Sequence, residues 1–456
     1  MSSSKANGTY DVVIIGAGVA GSACARFLAD GGRRVALVDR RPIERAGARW
    51  VNGVPRKAFH DARLAPPVPP ELRGEGHAFV LSSPSGRTRL SLGKDNPVLE
   101  VDMRHLGARL REGATKAGAT ILEETEVTGI ELVRGRPRAV ATHRGTLAAP
   151  LFVDASGLPA VVRRAVFPDW PAIPEEHLCL AAQEVRVLAD DDGARRWLEA
   201  NRVADGDVFA RTGTQGGYSV FNVRVETEGR EVALLAGAVP ASGTSGARMI
   251  EAFCSDNAWV GERVFGGAAA LPLRRPYTRL VAPGLALLGD TACQMFSAHG
   301  SGIAIGLQAA RLLADVVLAA PANRAGDEEV LFSYASRFHR RHGGTLASYD
   351  VVRRATQRLT SEESEEIFTA GLISLETMRA ALMQRLPIPT PQLLLAVSRG
   401  AVRAPRLAAT IGAAFASVPL LLAHAKLYPL HPDGMALEAW EKRVAAIVGE
   451  APDPVD

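Results

Sequence analysis

Six consecutive residues, Gly16-Ala17-Gly18-Val19-Ala20-Gly21, carry three glycines at a spacing that can bring backbone against a pyrophosphate. The first glycine permits a tight strand-to-helix turn, the second lets the chain approach the phosphates, and the third lets the helix pack closely on the strand. The phosphates then sit on a helix N-terminus, where free N–H groups and the positive end of the macrodipole favour an anion. Asp39 follows Gly16 by 23 residues, where a carboxylate can accept both hydroxyls of a ribose. Arg40 and Arg41 stand beside it and leave open a second reading, a site for the 2′-phosphate of NADP.

A second group of residues decides between the two. Gly284-Leu-Ala-Leu-Leu-Gly-Asp290 ends in an aspartate after an apolar run, and Gly300-Ser301-Gly302-Ile303 then opens a helix. A NAD(P) dehydrogenase has no need of such a pair, whereas the long ribityl chain and diphosphate of FAD require a second contact, which Asp290 can supply. A helix N-terminus aimed at the pyrimidine edge of the ring would stabilise the negative charge of a reduced flavin. FAD is therefore the expected cofactor. His299 precedes this helix start and is the candidate catalytic proton donor; a hydrogen-bonded structural histidine is the competing reading.

These residues need particular elements beneath them. Tyr10–Ile15 reads as a buried parallel strand, Ser22–Asp30 as a helix stopped by Gly31-Gly32, and Arg34–Asp39 as the next strand, a βαβ unit of about thirty residues. Segments 77–81 and 87–92 flank Ser83-Pro84-Ser85-Gly86 as a hairpin, and Met103–Ala117 has helical periodicity through Leu106, Leu110 and Ala114. Between Pro174 and Pro276 the pattern changes to longer alternating segments, notably 218–225 and 231–238, so a separate antiparallel sheet is expected there. Tyr218 and Asn222 share one face of their strand, Ser219, Phe221 and Val223 the other, and either face can line a pocket. Gly302–Ala319 reads as a long helix, and the chain beyond Pro321 as mostly helical, broken at Pro387, Pro389, Pro391 and Pro429.

Composition excludes several classes of function. Of the 456 residues, 47% are hydrophobic and 22% charged, which suits a chain that buries a large core in two or three units. The net charge of +4 comes from scattered arginines, with no basic block interleaved with aromatics, so no nucleic-acid role is expected. Cys24, Cys179, Cys254 and Cys293 are too far apart for zinc or a disulfide framework and read as free thiols. The acidic run Glu362, Glu363, Glu365 and Glu366 reads as a solvated helix face, and no metal site is expected. Residues 1–8 lack the regions of a secretory signal, which points to the cytoplasm. The apolar stretch Leu407–Ala425 contains Gly412, Pro419 and His424 and reads as a buried helix in preference to a membrane contact.

Four stretches, in order over about residues 10–320, resemble the flavoprotein superfamily of geranylgeranyl reductases, aromatic hydroxylases and flavin-dependent halogenases, most closely the geranylgeranyl reductase type. They are residues 10–21 with Asp39; residues 101–118; Leu151-Phe-Val-Asp-Ala-Ser-Gly157 with Arg163; and Gly289-Asp290 through Gly302. Two positions depart from the family: Met103 stands where an arginine is frequent, with Arg104 next to it, and Ser297 replaces a common proline. The resemblance implies an α/β protein with a Rossmann-like FAD-binding domain of the glutathione reductase type, an inserted antiparallel substrate domain and a helical C-terminal region. The expected divisions are 1–173 and 277–320 for the FAD domain, 174–276 for the substrate domain and 321–456 for the helical region. It implies further that Asp290, Gly300 and Gly302 contact the flavin, and that the segment with Arg49 and Trp50 runs past it. There Arg49 could pair with the cofactor's phosphates or ribityl chain and Trp50 could flank the ring; an exposed arginine and a core tryptophan are the alternative. The implied activity is reduction of a carbon–carbon double bond in an apolar small molecule by hydride from flavin N5. Hydroxylation by a flavin monooxygenase is the runner-up, and a redox-silent prenyl carrier of the same fold is the third reading. A halogenase is disfavoured, since no Trp-x-Trp-x-Ile-Pro segment is present. With no second nucleotide signature, NAD(P)H would dock transiently or a separate reductase would take its place.

Overall fold

Val12–Ile15 is apolar and buried at every position, the pattern of an inner parallel strand. A computed structural model of the chain, describing residues 8–93, 96–388 and 390–455, places it in a six-stranded sheet. The strand order is Val281–Ala282, Leu285–Leu287, Leu151–Asp154, Val12–Ile15, Val35–Val38 and Thr120–Leu122, parallel throughout except at the first. Helix α1 (Val19–Asp30) packs against both α2 (Met103–Lys116) and α3 (Ile303–Ala319). This is the expected α/β, Rossmann-like architecture. The first strand begins later than the run from Tyr10 suggests, because Gly8–Thr9 instead pairs with Leu147–Ala148 of a separate four-stranded sheet. Asp11 marks the break, accepting hydrogen bonds from the backbone and guanidinium of Arg34, each at 2.9 Å.

A seven-stranded sheet lies beside this unit in the order Val260–Pro272, Leu178–Leu188, Glu231–Ala238, Ser219–Glu226, Val208–Thr212, Phe79–Ser82 and Arg89–Leu92. Phe79–Ser82 runs parallel to its neighbour Val208–Thr212; the other pairings are antiparallel. A division at residue 174 would therefore assign the hairpin of residues 79–92 to the wrong unit, since its backbone hydrogen bonds lie in this sheet. Phe221 and Val223 face helices Asp191–Asn201 and Gly246–Asp256, packing with Trp197, Phe253 and Trp259. The opposite face carries Tyr218 towards the first unit. The two units are joined at Val51, whose N–H donates to Gln183 Oε1 (2.5 Å) and whose carbonyl accepts from Gln183 Nε2 (2.6 Å). The amide of Gln183 thus acts as one more strand residue on the edge of Val51–Pro55.

The C-terminal region is helical as expected, and among its helices Glu328–Phe338 runs through a π-turn, His339–Gly343, into Gly344–Thr356. A buried ionic cluster fastens residues 441–453 to the segment leaving the seven-stranded sheet: Arg274 pairs with Asp453 (2.5 Å), and Arg275 with Glu441 (2.6 Å) and Glu450 (2.5 Å). One expectation is overturned. The apolar stretch 407–425 lies in helix Pro405–Lys426, of which only Leu407, Ala414, Leu421, His424 and Ala425 are buried. Its hydropathy is that of a core helix, but the fold leaves most of it uncovered. Pro389 lies outside the described residues.

Candidate functional site

Gly16 ends the first strand with φ +106°, a conformation open to glycine, and a Cβ there would fall 2.2 Å from the carbonyl oxygen of Ala155. A Cβ on Gly21 would meet the Gly16 carbonyl oxygen at 2.0 Å, so the third glycine sets how closely α1 approaches the strand. Gly18 differs from both: only Gly47 Cα lies near its missing side chain, at 3.8 Å. Backbone therefore faces backbone across a narrow gap at the start of α1, and no side chain caps that helix. Ala17 N–H donates to Asp39 Oδ2 (2.8 Å) and Arg41 N–H to Asp39 Oδ1 (2.9 Å), so Asp39 also fixes the glycine loop. Arg40 is exposed beside it.

A cavity of about 590 Å³ opens next to this loop, lined among others by Ile43, Glu44, Arg49, Arg104, Arg111 and Glu123. Its volume falls in the range of small-molecule sites. Arg49 donates to the Glu44 carbonyl at 2.8 Å, which holds its guanidinium at the cavity wall. Arg104 is fixed by Asp102 (2.6 Å) and lies 3.3 Å from the Phe265 ring centre, while Met103 is buried. Arg104 thus brings a cation to the cavity wall from the position next to the buried Met103. Arg111 had no sequence signal beyond a charge on the buried face of α2; it donates to the Ala17 carbonyl (3.3 Å), and Gly107 makes room for it.

The second motif converges on the first. Ala20 of α1 lies 3.2 Å from where a Cβ on Gly306 of α3 would be, and 3.5 Å from one on Gly289. Gly302 begins α3, again with no side-chain cap, so two helix N-termini with unfilled N–H groups meet here. Asp290 follows Leu288 with its carboxylate beside Gly302, where a Cβ would be 3.3 Å from Oδ1. Burial pushes the Asp290 carboxyl up to about 6, with no cation or hydrogen bond lowering it. In the loop before α3, Phe296 and Ser301 form an antiparallel bridge, Gly300 turns at φ +68°, and the buried hydroxyls of Ser297 and Ser301 lack partners. Gly289 is held by Gln294, which bonds Tyr334, which in turn bonds the Leu287 carbonyl. Two uncapped helix starts close together, an unpaired carboxylate and two orphaned hydroxyls fit an extended ligand with two phosphates, a polyol and a polar ring edge, which FAD is.

Between this loop and the seven-stranded sheet lies an apolar cluster containing Trp50, Cys179, Ala181, Leu273 and Met295, with Tyr218 and Leu271 against it. Trp50 is thus buried, in one cluster with Met295 of the loop before α3. Tyr218 has its hydroxyl 3.4 Å from where a Cβ on Gly300 would stand, and burial pushes its pKa well above the usual tyrosine value. Asn222, on the same strand face, has a buried side-chain oxygen without a partner. His299 is oriented differently: its Nε2 is 3.2 Å from the Ala381 carbonyl, so Nε2–H donates there, and its ring packs on Phe296 at 4.9 Å. Burial pulls its pKa down to about 4, so at neutral pH it is uncharged.

Residues 11–81 match a family described as FAD dependent oxidoreductase. The chain is 26% identical over 373 residues to digeranylgeranylglycerophospholipid reductase 1 of Methanococcoides burtonii, covering 78% of this chain and 86% of that protein. It is 26% identical over 326 residues to a menaquinone reductase of Mycolicibacterium smegmatis, covering 68% and 77%. Its fold is similar to that of a geranylgeranyl bacteriochlorophyll reductase-like protein of Thermoplasma acidophilum, with a TM-score of 0.72 at 16% identity, covering 89% of this chain and 99% of that one.

Proposed function

We infer that this chain, an FAD-dependent oxidoreductase, reduces a carbon–carbon double bond in an apolar, isoprenoid-bearing substrate. The observation that carries the reading is the apolar cluster of Trp50, Cys179, Leu271, Leu273 and Met295 between the flavin loop and the substrate sheet, with the Tyr218 hydroxyl beside it. Apolar side chains beside a single hydroxyl suit contact with a hydrocarbon chain and one proton donor, and one relative is a digeranylgeranylglycerophospholipid reductase.

Gly18, the start of α1 and Arg111 would hold the pyrophosphate, Asp290 the ribityl chain, and the start of α3 with Ser297 and Ser301 the pyrimidine edge of the ring. When bound and reduced, FAD supplies a hydride to one carbon of the double bond. The other carbon needs a proton from the protein side, and Tyr218 is the group we assign to it: protonated at neutral pH and beside Gly300. His299, with its N–H given to Ala381, then positions Phe296 and the loop instead of donating the proton. The apolar side chains of this cluster would keep water away from the reacting carbons. The reducing equivalents would come from transiently docked NAD(P)H or from a separate reductase.

The test is mass spectrometry of a geranylgeranyl lipid after incubation with chemically reduced holoenzyme under nitrogen. A gain of one hydrogen molecule per double bond is expected. An unchanged lipid under nitrogen, together with a gain of one oxygen atom in air, would replace this reading with hydroxylation.

A further inference from the structure

Helix Pro405–Lys426 is built the wrong way round for water. A surface helix normally turns its polar face outward. Here every exposed position between Arg406 and Lys426 carries Ala, Gly, Pro, Phe or Leu, save Thr410. Phe415 is 42% exposed and Leu420 56%. The preceding helix, Pro391–Arg403, meets it at Ala404 and adds Leu395 and Val402, the latter 84% exposed, and Leu427 continues the surface at 70%. An apolar surface of this kind marks an interaction site.

Charge identifies what covers it. From Thr377 to Pro432 the chain has no Asp or Glu, while Arg379, Arg385, Arg399, Arg403, Arg406 and Lys426 all lie in that span and are all exposed. On these two helices every charged residue is a cation, while the acidic Glu362 and Glu366 lie on the neighbouring helix Ser361–Ala370; an apolar face fringed by Arg399, Arg403 and Arg406 is what an anionic lipid surface attracts. We propose that helices Pro391–Arg403 and Pro405–Lys426 dock this protein peripherally on an anionic membrane.

The helix lies on the membrane and does not cross it. At its C-terminal end His424 and Trp440 exchange hydrogen bonds, His424 Nε2 to the Trp440 carbonyl at 2.9 Å and Trp440 Nε1 to the His424 carbonyl at 3.0 Å. A Cβ on Gly344 would sit 3.0 Å from Leu422 Cα, so the backbone there is pressed against helix Gly344–Thr356. Spanning would break these contacts. That helix also carries Tyr349, whose ring is 4.3 Å from Phe296 of the flavin loop. The docking face is thus separated from the flavin loop by a single helix, whichever substrate the enzyme takes.

The experiment is flotation of the holoenzyme with vesicles of phosphatidylcholine alone and of phosphatidylcholine mixed with phosphatidylglycerol, at low and high salt. The protein should float with the anionic vesicles and release as salt is raised, since each cation near such a surface contributes roughly five-fold in partitioning. Replacing Phe415 and Leu420 together by Ser should lower the bound fraction about ten-fold or more, with flavin content and thermal midpoint unchanged because both side chains are exposed. A triple variant, Arg399→Gln with Arg403→Gln and Arg406→Gln, should lose the preference for anionic vesicles. The proposal is overturned if the wild type stays with the soluble fraction at low salt, or if the variants float as the wild type does. It is also overturned if sedimentation shows a dimer that the Phe415/Leu420 variant dissolves, for then a second copy covers the face.

Discussion

Gly18 and Asp290 isolate the cofactor site from the stability of the fold. Because only Gly47 Cα at 3.8 Å faces the missing Gly18 side chain, and its φ of −64° suits any residue, Gly18→Val should fold normally yet purify with little FAD. Normal flavin absorbance in that variant would remove the glycine loop from the site. Asp290 adds a pH signature. Its carboxyl titrates at about 6 in the free protein, and a ribityl hydroxyl donated to it favours the ionised form. FAD affinity should therefore weaken as pH falls through about 6, and Asp290→Asn should be flat across that range while binding about ten-fold or more weaker at pH 8. Fluorescence titrations showing parallel pH curves for both proteins would reject the contact. For the proton, Tyr218→Phe should keep full flavin content and lower turnover by at least about a hundredfold, within the usual contribution of acid catalysis. His299→Ala should change turnover by less, through loop position alone; the reverse order in stopped-flow measurements would return the proton to His299.

At the scale of elements, the latch between the units is the amide of Gln183, which is 4% exposed and satisfies both backbone groups of Val51. Gln183→Leu leaves those two groups without partners, which costs roughly 2–4 kcal/mol, read as a shift of the denaturation midpoint. No such shift would mean that the units are held together elsewhere. This latch also shows what the sequence could reveal. The glycine turn, the strand before it and Asp39 were legible because their chemistry is local, set by residues within one βαβ unit. Asp290 and the start of α3 were legible because an apolar run ends in a charge and a Gly-x-Gly pair opens a helix. Gln183 was not, since it meets Val51 across 132 residues and nothing near either residue names the other. Arg111 was hidden because a helical arginine ordinarily reads as surface, and here Gly107 makes room for it inside. Which face of the Tyr218 strand turns towards the loop before α3 was hidden as well, because it is set by the helices packed on the other face. The uncovered side of Pro405–Lys426 was illegible too, because an all-apolar helix gives the same sequence pattern whether protein or another apolar medium covers it.

Across the whole molecule, burial leaves several imidazoles neutral. His177, His299 and His342 are pulled to about 4 and His339 to about 3, each chiefly by burial, against an ordinary 6.5. Depressed imidazoles give stability that is present above 6.5 and is lost as pH falls towards 4, because the unfolded chain takes up protons that the folded one cannot. Glu100, raised to about 7, and Asp290, raised to about 6, act in the opposite sense, as do the raised Asp154 and Glu441, but they stand against five depressed imidazoles, His424 included. The thermal midpoint should therefore fall steadily between pH 6.5 and 4; a flat or rising profile would contradict the burial of these rings. The parallel pairing of Phe79–Ser82 with Val208–Thr212 has a consequence for how the chain reaches this state. Ala78 and Asp207, hydrogen-bonded at the mouth of that pairing, lie 129 residues apart, so the sheet closes only after two distant stretches of chain have found each other. Until then Val208–Thr212 is a bare sheet edge. A fragment beginning at residue 174 would keep that edge open for good, exposing a template for intermolecular strand pairing, so the seven-stranded sheet can be moved or expressed only with its distant hairpin.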